Sequence, residues 1–165
     1  MVTFLVQAPE HFKLVEAYKR DWEEHGELMH GASGLSRTDT AAWLINPVRS
    51  DLVPHVQLLT YDTELDAIVG TIDIRTELSV SSVLNGAVHI GYGVAPSYRN
   101  RGYGKIQCRH ALSVCRSLGM REVFICAEKE NVASCRIIES FGGIIVGCIA
   151  EGDIYKVPTY TRGVD

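Results

Sequence analysis

The first part of the chain carries apolar residues at helical spacing. Val15, Tyr18 and Trp22 recur at intervals of three and four residues, which places them on one face of an α-helix. The elements predicted here are a helix over Pro9–His25, a loop over Gly26–Arg37 and a short second helix over Thr38–Ile45.

From His55 onward the spacing changes to the alternation that is typical of β-strands. Ile72 and Ile74 alternate with polar residues, so we expect apolar and polar side chains on opposite faces of a sheet. The predicted strands are His55–Tyr61, Ala67–Leu78, Ala87–Val94, Glu122–Ala127, Ile144–Ala150 and Ile154–Arg162. Pro158 indicates an edge position or a bulge for the last strand, because proline donates no backbone hydrogen bond.

Two later segments combine an apolar stripe with signals for helix ends. Gly102–Leu118 is followed by Gly119, a common helix terminator, and Asn131 is a suitable cap for a helix over Val132–Phe141. The order of elements predicts an α/β (α+β) fold. Its mixed sheet is expected to be antiparallel at both ends and parallel around the two later helices.

Composition restricts the class of protein. The chain has 165 residues, of which 46% are hydrophobic, and a formal charge of −4, so we expect one globular domain over 1–165 and no nucleic-acid partner. The sequence has no apolar stretch of spanning length, and Met1–Pro9 lacks the layout of a secretory signal. Its five cysteines form no CxxC pair. We therefore expect reduced thiols, no metal site, no membrane contact and a cytoplasmic location.

The most informative segment runs from Val94 to Lys105. A strand ends, a turn follows, and a helix starts at Gly102 and Gly104 with Arg99, Arg101 and Lys105 around it. Helix N-termini expose unpaired N–H groups and a positive dipole end, which suit a pyrophosphate. A Walker loop is excluded because Ile106, rather than Ser or Thr, follows Lys105.

This segment resembles the GNAT superfamily of N-acyltransferases. Arg99-Asn-Arg-Gly102-Tyr-Gly104 matches its Arg/Gln-x-x-Gly-x-Gly/Ala motif, and Gly91–Pro96 is similar to its fourth strand, where the sheet splays. Glu130–Gly143 resembles its second cofactor motif, and Ile74–Leu78 with His89–Tyr92 is similar to a bacterial subgroup. The resemblance implies a splayed, mixed sheet of about six to seven strands flanked by about four helices.

The resemblance also implies acetyl-CoA as cofactor. The main chain of Arg101–Lys105 would hold the pyrophosphate, Val94 would pair with the pantetheine arm, and Asn131 and Ser134 would lie beside that arm. Asn131 has an equal interpretation as a plain helix cap. The residues assigned to cofactor binding are Val94, Arg99, Arg101, Gly102, Tyr103, Gly104, Lys105, Asn131 and Ser134.

Transfer of an acetyl group to an amine needs a base, an oxyanion donor and a proton for the leaving thiolate. We assign the oxyanion donor to the Val94 N–H. His89 is the first candidate for the base because imidazole titrates near neutrality, with Glu77 and Asp73 next. A water chain and a purely structural His89 stay open as alternatives. Many members of the family place a tyrosine, as proton donor, where this chain has Ile138; Tyr92, Tyr155 and Tyr160 are the candidate substitutes.

The acceptor is expected to be a primary amine of a small molecule or peptide. The acidic residues Asp21, Glu23, Glu24 and Glu27 would attract a cation, although a solvated helix end is the simpler interpretation. Trp22 and Trp43 are assigned to the core rather than to the acceptor pocket. The missing tyrosine leaves a second hypothesis, a non-catalytic module that binds or senses acyl-CoA. The edge strands allow a homodimer.

Overall fold

The structure, a computed structural model, describes residues 1–45, 54–79, 82–83 and 87–160. Its strands are β1 Val2–Val6, β2 His55–Asp62, β3 Ala67–Arg75, β4 Ile90–Val94, β5 Glu122–Ala127, β6 Ile144–Ile149 and β7 Gly152–Pro158. Its α-helices are α1 Phe12–His25, α2 Thr40–Ile45, α3 Tyr103–Ser117 and α4 Val132–Ser140, and short 3-10 turns cover Pro9–His11, Leu35–Arg37 and Pro96–Tyr98.

All described strands join one seven-stranded sheet in the order β1-β2-β3-β4-β5-β7-β6. Neighbouring strands run antiparallel except β4 and β5, which run parallel and are connected through α3. The predicted mixed sheet is therefore confirmed. Strand β1 was not predicted, because Val2–Val6 is a short run without alternation and is defined by its pairing with β2.

Several predicted boundaries need correction. Strand β3 ends at Arg75 rather than Leu78, and β4 begins at Ile90 rather than Ala87, so Glu77 lies outside the sheet. Pro158 predicted an edge position or a bulge for this strand. The edge position is wrong for β7, which lies between β5 and β6, and the irregularity in its pairing with β6 falls between Ile145 and Gly147 rather than at Pro158. The β6 ladder ends at Lys156, so Pro158 withholds no bond from β6. The predicted end of this strand at Arg162 lies outside the described residues.

Helices cover the two faces of the sheet with separate cores. On the face that we call the α1 face, α1 and α2 bury Val15, Tyr18, Trp22, Trp43 and Leu59. On the face that we call the α3 face, α3 and α4 bury Ile72, Ile90, Leu112, Ile125 and Ile138. Each core forms because the apolar stripe of a helix meets the apolar side of alternating strands.

Strands β4 and β5 are paired at one end and part at the other. One residue pair, Ile90 with Ile125, joins them, and the His89 N–H donates to the Phe124 C=O at 2.9 Å just before it. Beyond this point β4 stays paired with β3, and β5 stays paired with β7. The opening between residues 91–94 and 126–127, which we call the splay, positions the candidate site.

Candidate functional site

Helix α3 begins directly after the loop that ends β4. Gly102 caps the helix with φ 84°, a left-handed angle that glycine adopts without strain, and Asn100 has φ 62°. The Ile106 N–H makes the first helical bond, to the Gly102 C=O at 3.2 Å. The N–H groups of residues 103–105 precede this ladder and concentrate positive potential at the helix start.

The three basic side chains predicted at this loop do not act alike. Arg101 and Lys105 are exposed beside the helix start, where an anion can reach them. The Arg99 guanidinium instead donates to the two Glu27 carboxylate oxygens at 3.0 and 2.6 Å. The side chain of Arg99 is therefore directed toward the end of α1.

The Tyr103 side chain also turns away from the loop. Its hydroxyl donates to Asp62 Oδ2 at 2.7 Å. Burial, with the neighbouring carboxylate, raises the pKa of Tyr103 to about 12, while the tyrosine hydrogen bond lowers the pKa of Asp62. Tyr103 thus anchors α3 to β2 and leaves its backbone N–H for an anion.

Gly104 lets the start of α3 approach β4 and α4 closely. A Cβ at this position would lie 3.1 Å from Ile137 Cδ1, 3.8 Å from Tyr92 Cε2 and 3.9 Å from Val94 Cγ2. A larger side chain here would enter the space where the helix start meets the splay.

Val94 turns its backbone toward the splay. The Ala95 N–H donates to the Val69 C=O at 3.0 Å, and alternate residues of an antiparallel strand direct their N–H groups to opposite sides. The Val94 N–H therefore points away from β3. Buried Gln107 fixes this strand through a 3.1 Å bond from its Nε2 to the Gly93 C=O. Gln107 was not predicted as a site residue, although a polar amide within the apolar stripe of α3 was a usable signal.

On the α3 face of the splay, the start of α4 meets β4 through one contact between two hydroxyl groups. Asn131 Oδ1 accepts the Ser134 N–H at 3.1 Å, which confirms the predicted cap. The Ser134 and Tyr92 hydroxyl oxygens lie 2.8 Å apart. Burial raises the pKa of Tyr92, so its hydroxyl keeps its proton at neutral pH.

His89 takes part in the sheet where the splay begins. Its Nδ1 accepts the Phe124 N–H at 3.0 Å, and its ring stacks on Phe124 with centroids 5.6 Å apart. Burial lowers the pKa of His89, which favours the neutral ring. A neutral imidazole that accepts at Nδ1 carries its proton on Nε2. Service as a base thus requires release of the Phe124 N–H, and this role stays a prediction.

The structure does not bring the three predicted catalytic positions together. His89 and Val94 are five residues apart along one extended segment, roughly 16 Å at about 3.3 Å per residue. Glu77 is exposed beyond the end of β3 and lies farther from Val94 still. Asp73, which is 5% exposed, pairs with Gly91 and is the predicted carboxylate nearest the splay.

The candidate tyrosines occupy different environments. Tyr155 is 2% exposed within the α3-face core, and Tyr160 lies with its ring centroid 5.5 Å from the Arg116 guanidinium, near the C-terminal end of α3. Ile138 is 0% exposed in the same core as Tyr155. Of the three candidate substitutes, Tyr92 is the one that borders the splay.

The end of α1 is tied to the loop that precedes α3. Asp21 Oδ2 accepts the Ser97 N–H at 3.1 Å, close to the ion pair of Glu27 with Arg99. Of the four acidic residues at the end of α1, Asp21 and Glu27 therefore hold this loop through a hydrogen bond and an ion pair, and are not simply solvated. Trp22 and Trp43 are buried in the α1-face core.

Within the described ranges, no group of three or more His, Cys, Asp or Glu side chains is arranged to hold a metal ion. None of the described helices is long and apolar enough to cross a membrane. The five cysteines are free thiols.

Comparisons with known proteins agree with this geometry. Among solved structures, yncA of Salmonella typhimurium, a candidate acetyltransferase with its cofactor acetyl-CoA, has a TM-score of 0.66 and 13% identity, covering 100% of this chain and 98% of its own. The ribosomal-protein-S5-alanine acetyltransferase of Vibrio fischeri has a TM-score of 0.68 and 12% identity, covering 94% and 91%. A chimera of the Vibrio cholerae spermidine N-acetyltransferase has a TM-score of 0.65 and 12% identity, covering 96% and 95%.

At these identities the solved structures show the fold alone, and no functionally curated protein matches the sequence. The family itself follows from the sequence profile of the acetyltransferase (GNAT) family, which matches residues 13–143. This span includes the splay and the helix start described above. The chain therefore belongs to the GNAT family of acetyltransferases, a membership that implies acyltransferase activity.

Proposed function

We propose that the chain transfers an acetyl group from acetyl-CoA directly to a primary amine of a small molecule or peptide. The observation that carries this proposal is the splay. It opens the backbone of β4 on the side where the start of α3 presents its N–H groups. A solved structure with acetyl-CoA supports the choice of donor. A second structure, named for spermidine acetylation, supports amine acetylation on this fold but does not fix the group that carries the amine.

The residues around the splay fit the donor in three places. The backbone N–H groups of residues 101–105, with Arg101 and Lys105, hold the pyrophosphate. The Val94 C=O, which has a second lone pair beside its bond from Arg99 Nε, accepts an N–H of the pantetheine arm as in an added strand. Asn131 and Ser134 border the arm from α4. Bound acetyl-CoA supplies the activated acetyl thioester.

Each remaining step is assigned to a group beside the splay. The amine nitrogen bonds to the acetyl carbon, the carbon–sulfur bond breaks, and the sulfur leaves as a thiolate. The Val94 N–H stabilises the negative charge that develops on the thioester oxygen. Asp73 is our choice as acceptor of the amine proton, because it pairs with Gly91 at the splay. Tyr92 donates a proton to the thiolate, and its partner Ser134 orients the hydroxyl.

A second candidate function is a module that binds acyl-CoA without turning it over. It is favoured by Ile138, a fully buried aliphatic residue where many members of the family carry a tyrosine. This function needs the helix start and Val94, but neither Asp73 nor Tyr92.

Calorimetry with acetyl-CoA, followed by an assay of thiol release with a panel of amines, tests both functions. The proposed enzyme binds acetyl-CoA and releases thiol in proportion to added amine, whereas a binding module releases none. Gly104→Trp places an indole against Ile137 and Tyr92 and should abolish binding. Ser113→Trp, at an exposed position of the same helix, is the matched control and should bind normally. Equal affinity in the two variants would refute the proposed cofactor site.

A further inference from the structure

A cavity of about 270 Å³ has no part in the steps above. It is lined by Val83, Phe124, Val146, Gly147, Cys148, Ile149 and Ile154. Ile125 and Tyr155 belong to the α3-face core, so alternation along the strands places their neighbours Phe124 and Ile154 on the opposite face. The volume lies just below the range of about 300–1,000 Å³ that is usual for small-molecule sites.

The strand register places this cavity beside the splay. Ile154 pairs with Cys126 on one side and with Gly147 on the other. The cavity is therefore level with the part of β5 that follows Ile125, where β5 leaves β4. Its wall nearest β4 is the Phe124 ring, which stacks on His89.

The chemistry of the cavity wall is apolar. None of its lining residues carries a charge. The charged residue paired with Phe124 is Lys156, whose Nζ already lies 3.3 Å from Glu122 Oε1. An apolar group gains by leaving water for such a wall, whereas a second ammonium or a carboxylate would lose its hydration without a partner.

We propose that this cavity holds the apolar body of the acceptor, a primary amine carried on an aliphatic or aromatic group. The inference rests on the proposed function, because the amine must reach the splay while its body fills the cavity. It excludes polyamines and amino acids as preferred acceptors, since each would bring a second charge to an uncharged wall.

Gly147 provides a direct way to fill the cavity. A Cβ built on this residue meets no atom within 4 Å, so a larger side chain extends into open space without a backbone clash. Gly147→Leu should therefore occupy the acceptor volume in a folded protein. Ile145→Leu, on the same strand but outside the lining, is the matched control.

The test follows methyl NMR signals of the full chain during titration with 2-phenylethylamine, hexylamine, spermidine and glutamate, with and without CoA. The two apolar amines should shift the signals of Ile149 and Ile154, and spermidine and glutamate should not. Gly147→Leu should weaken 2-phenylethylamine binding at least tenfold, with Ile145→Leu unchanged. Absent shifts, equal binding of spermidine, or an unaffected Gly147→Leu variant would overturn the inference.

Acetyl-CoA affinity is measured separately on the same samples. Wild-type protein and both variants should bind acetyl-CoA equally, because the cavity is separate from the helix start. If wild type fails to bind acetyl-CoA, the proposed function fails, while the methyl shifts still decide whether the cavity accepts an apolar amine. If acetyl-CoA binds and the methyl signals stay fixed, the acceptor inference alone fails.

Discussion

The Arg99 guanidinium joins the Glu27 carboxylate through two hydrogen bonds, and the Arg99 Nε donates to the Val94 C=O at 3.3 Å. The same guanidinium carbon lies 5.3 Å from the centroid of the Trp22 ring. One side chain thus connects the end of α1 with the strand that lines the splay. Its assignment as a pyrophosphate ligand came from charge and spacing, which do not show where a long side chain turns.

Glu27→Gln should lower stability at neutral pH but not in acid. The Arg99 hydrogen bond lowers the pKa of Glu27, so its stabilisation is complete above the ordinary value of 4.5 and is lost as the pH falls through the folded value. With the side chains of Arg99 and Glu27 40% and 42% exposed, we expect an effect of about 0.5–1 kcal/mol. Urea midpoints of wild type and variant should converge in acid. Glu23→Gln, at an exposed position of α1, is the control, and a pH-independent difference for Glu27→Gln would contradict the assignment.

His89 should make stability fall as the pH drops below neutrality. Burial lowers the folded pKa of His89, so its contribution is complete above the ordinary value of 6.5 and is lost as the pH falls through the folded value. His89→Leu removes this dependence, although it costs stability at every pH by leaving the Phe124 N–H without its acceptor. Urea unfolding from about pH 7.5 to pH 5 should show the steeper loss in wild type.

The same variant tests the role of His89 as base. If His89 is the base, His89→Leu removes the neutral-pH limb of the rate profile. If that limb persists, the imidazole serves the sheet, and the predicted catalytic role is wrong.

The helix start and the mixed sheet were accessible to sequence analysis because their signals are local. A helix start requires particular residue types within a few positions, and these are visible in a short segment. Examples are Gly102 and Gly104 at the start of α3 and the cap at Asn131 before α4. Strand β1 and the interior position of β7 depend on pairing between distant segments, which the short apolar runs do not encode.

The choice of catalytic residues also depends on contacts between distant segments, which the sequence does not show. His89 and Glu77 were chosen by residue type, but the register places both toward the end of the sheet segment away from Val94. The pairing of Tyr92 with Ser134 spans 42 positions in sequence and follows from the packing of α4 over β4. Residue chemistry alone could name Tyr92 as a candidate but could not choose it over Tyr155.

Asp73→Asn should reduce kcat more than Glu77→Gln does. Asp73 pairs with Gly91 beside the splay, whereas Glu77 is exposed beyond β3. Loss of a general base typically costs about 10²–10⁴-fold in rate. Steady-state kinetics with a saturating amine measure both variants, and amines of lower pKa should partly rescue Asp73→Asn. A larger loss in Glu77→Gln would assign the base to the exposed carboxylate instead.

Gly70→Ala should destabilise the fold, because the added methyl group would clash with the Gln107 side chain and the backbone of β4. An added Cβ would lie 2.1 Å from Gln107 Nε2 and 2.5 Å from the Gly93 carbonyl oxygen. Neither atom yields easily, because Gln107 is buried and bonded to Gly93, so we expect a loss of about 1–3 kcal/mol. Thermal unfolding should show a lower Tm than wild type. Gly147→Ala, with open space at its Cβ, should be nearly neutral, and equal behaviour of the two variants would contradict the packing described.

Tyr92→Phe should lower kcat while leaving the affinity for acetyl-CoA unchanged. The variant keeps the ring that packs near Gly104 but removes the hydroxyl bonded to Ser134. Without this donor the thiolate must take its proton from water, and we expect a loss of about 10²-fold or more. Because burial raises the pKa of Tyr92, the wild-type rate should show no alkaline limb below the ordinary tyrosine value of 10.

Ser134→Ala separates proton donation from packing. It leaves the Tyr92 hydroxyl in place without its partner, so kcat should fall by a smaller factor, while the cap at Asn131, which uses the Ser134 N–H, persists. If Tyr92 donates the proton, a thioester whose leaving thiol has a lower pKa needs this proton less. The kcat ratio of wild type to Tyr92→Phe should then be smaller with that thioester than with acetyl-CoA. A kcat ratio that is the same for all leaving thiols would show that Tyr92 positions β4 against α4 and donates no proton.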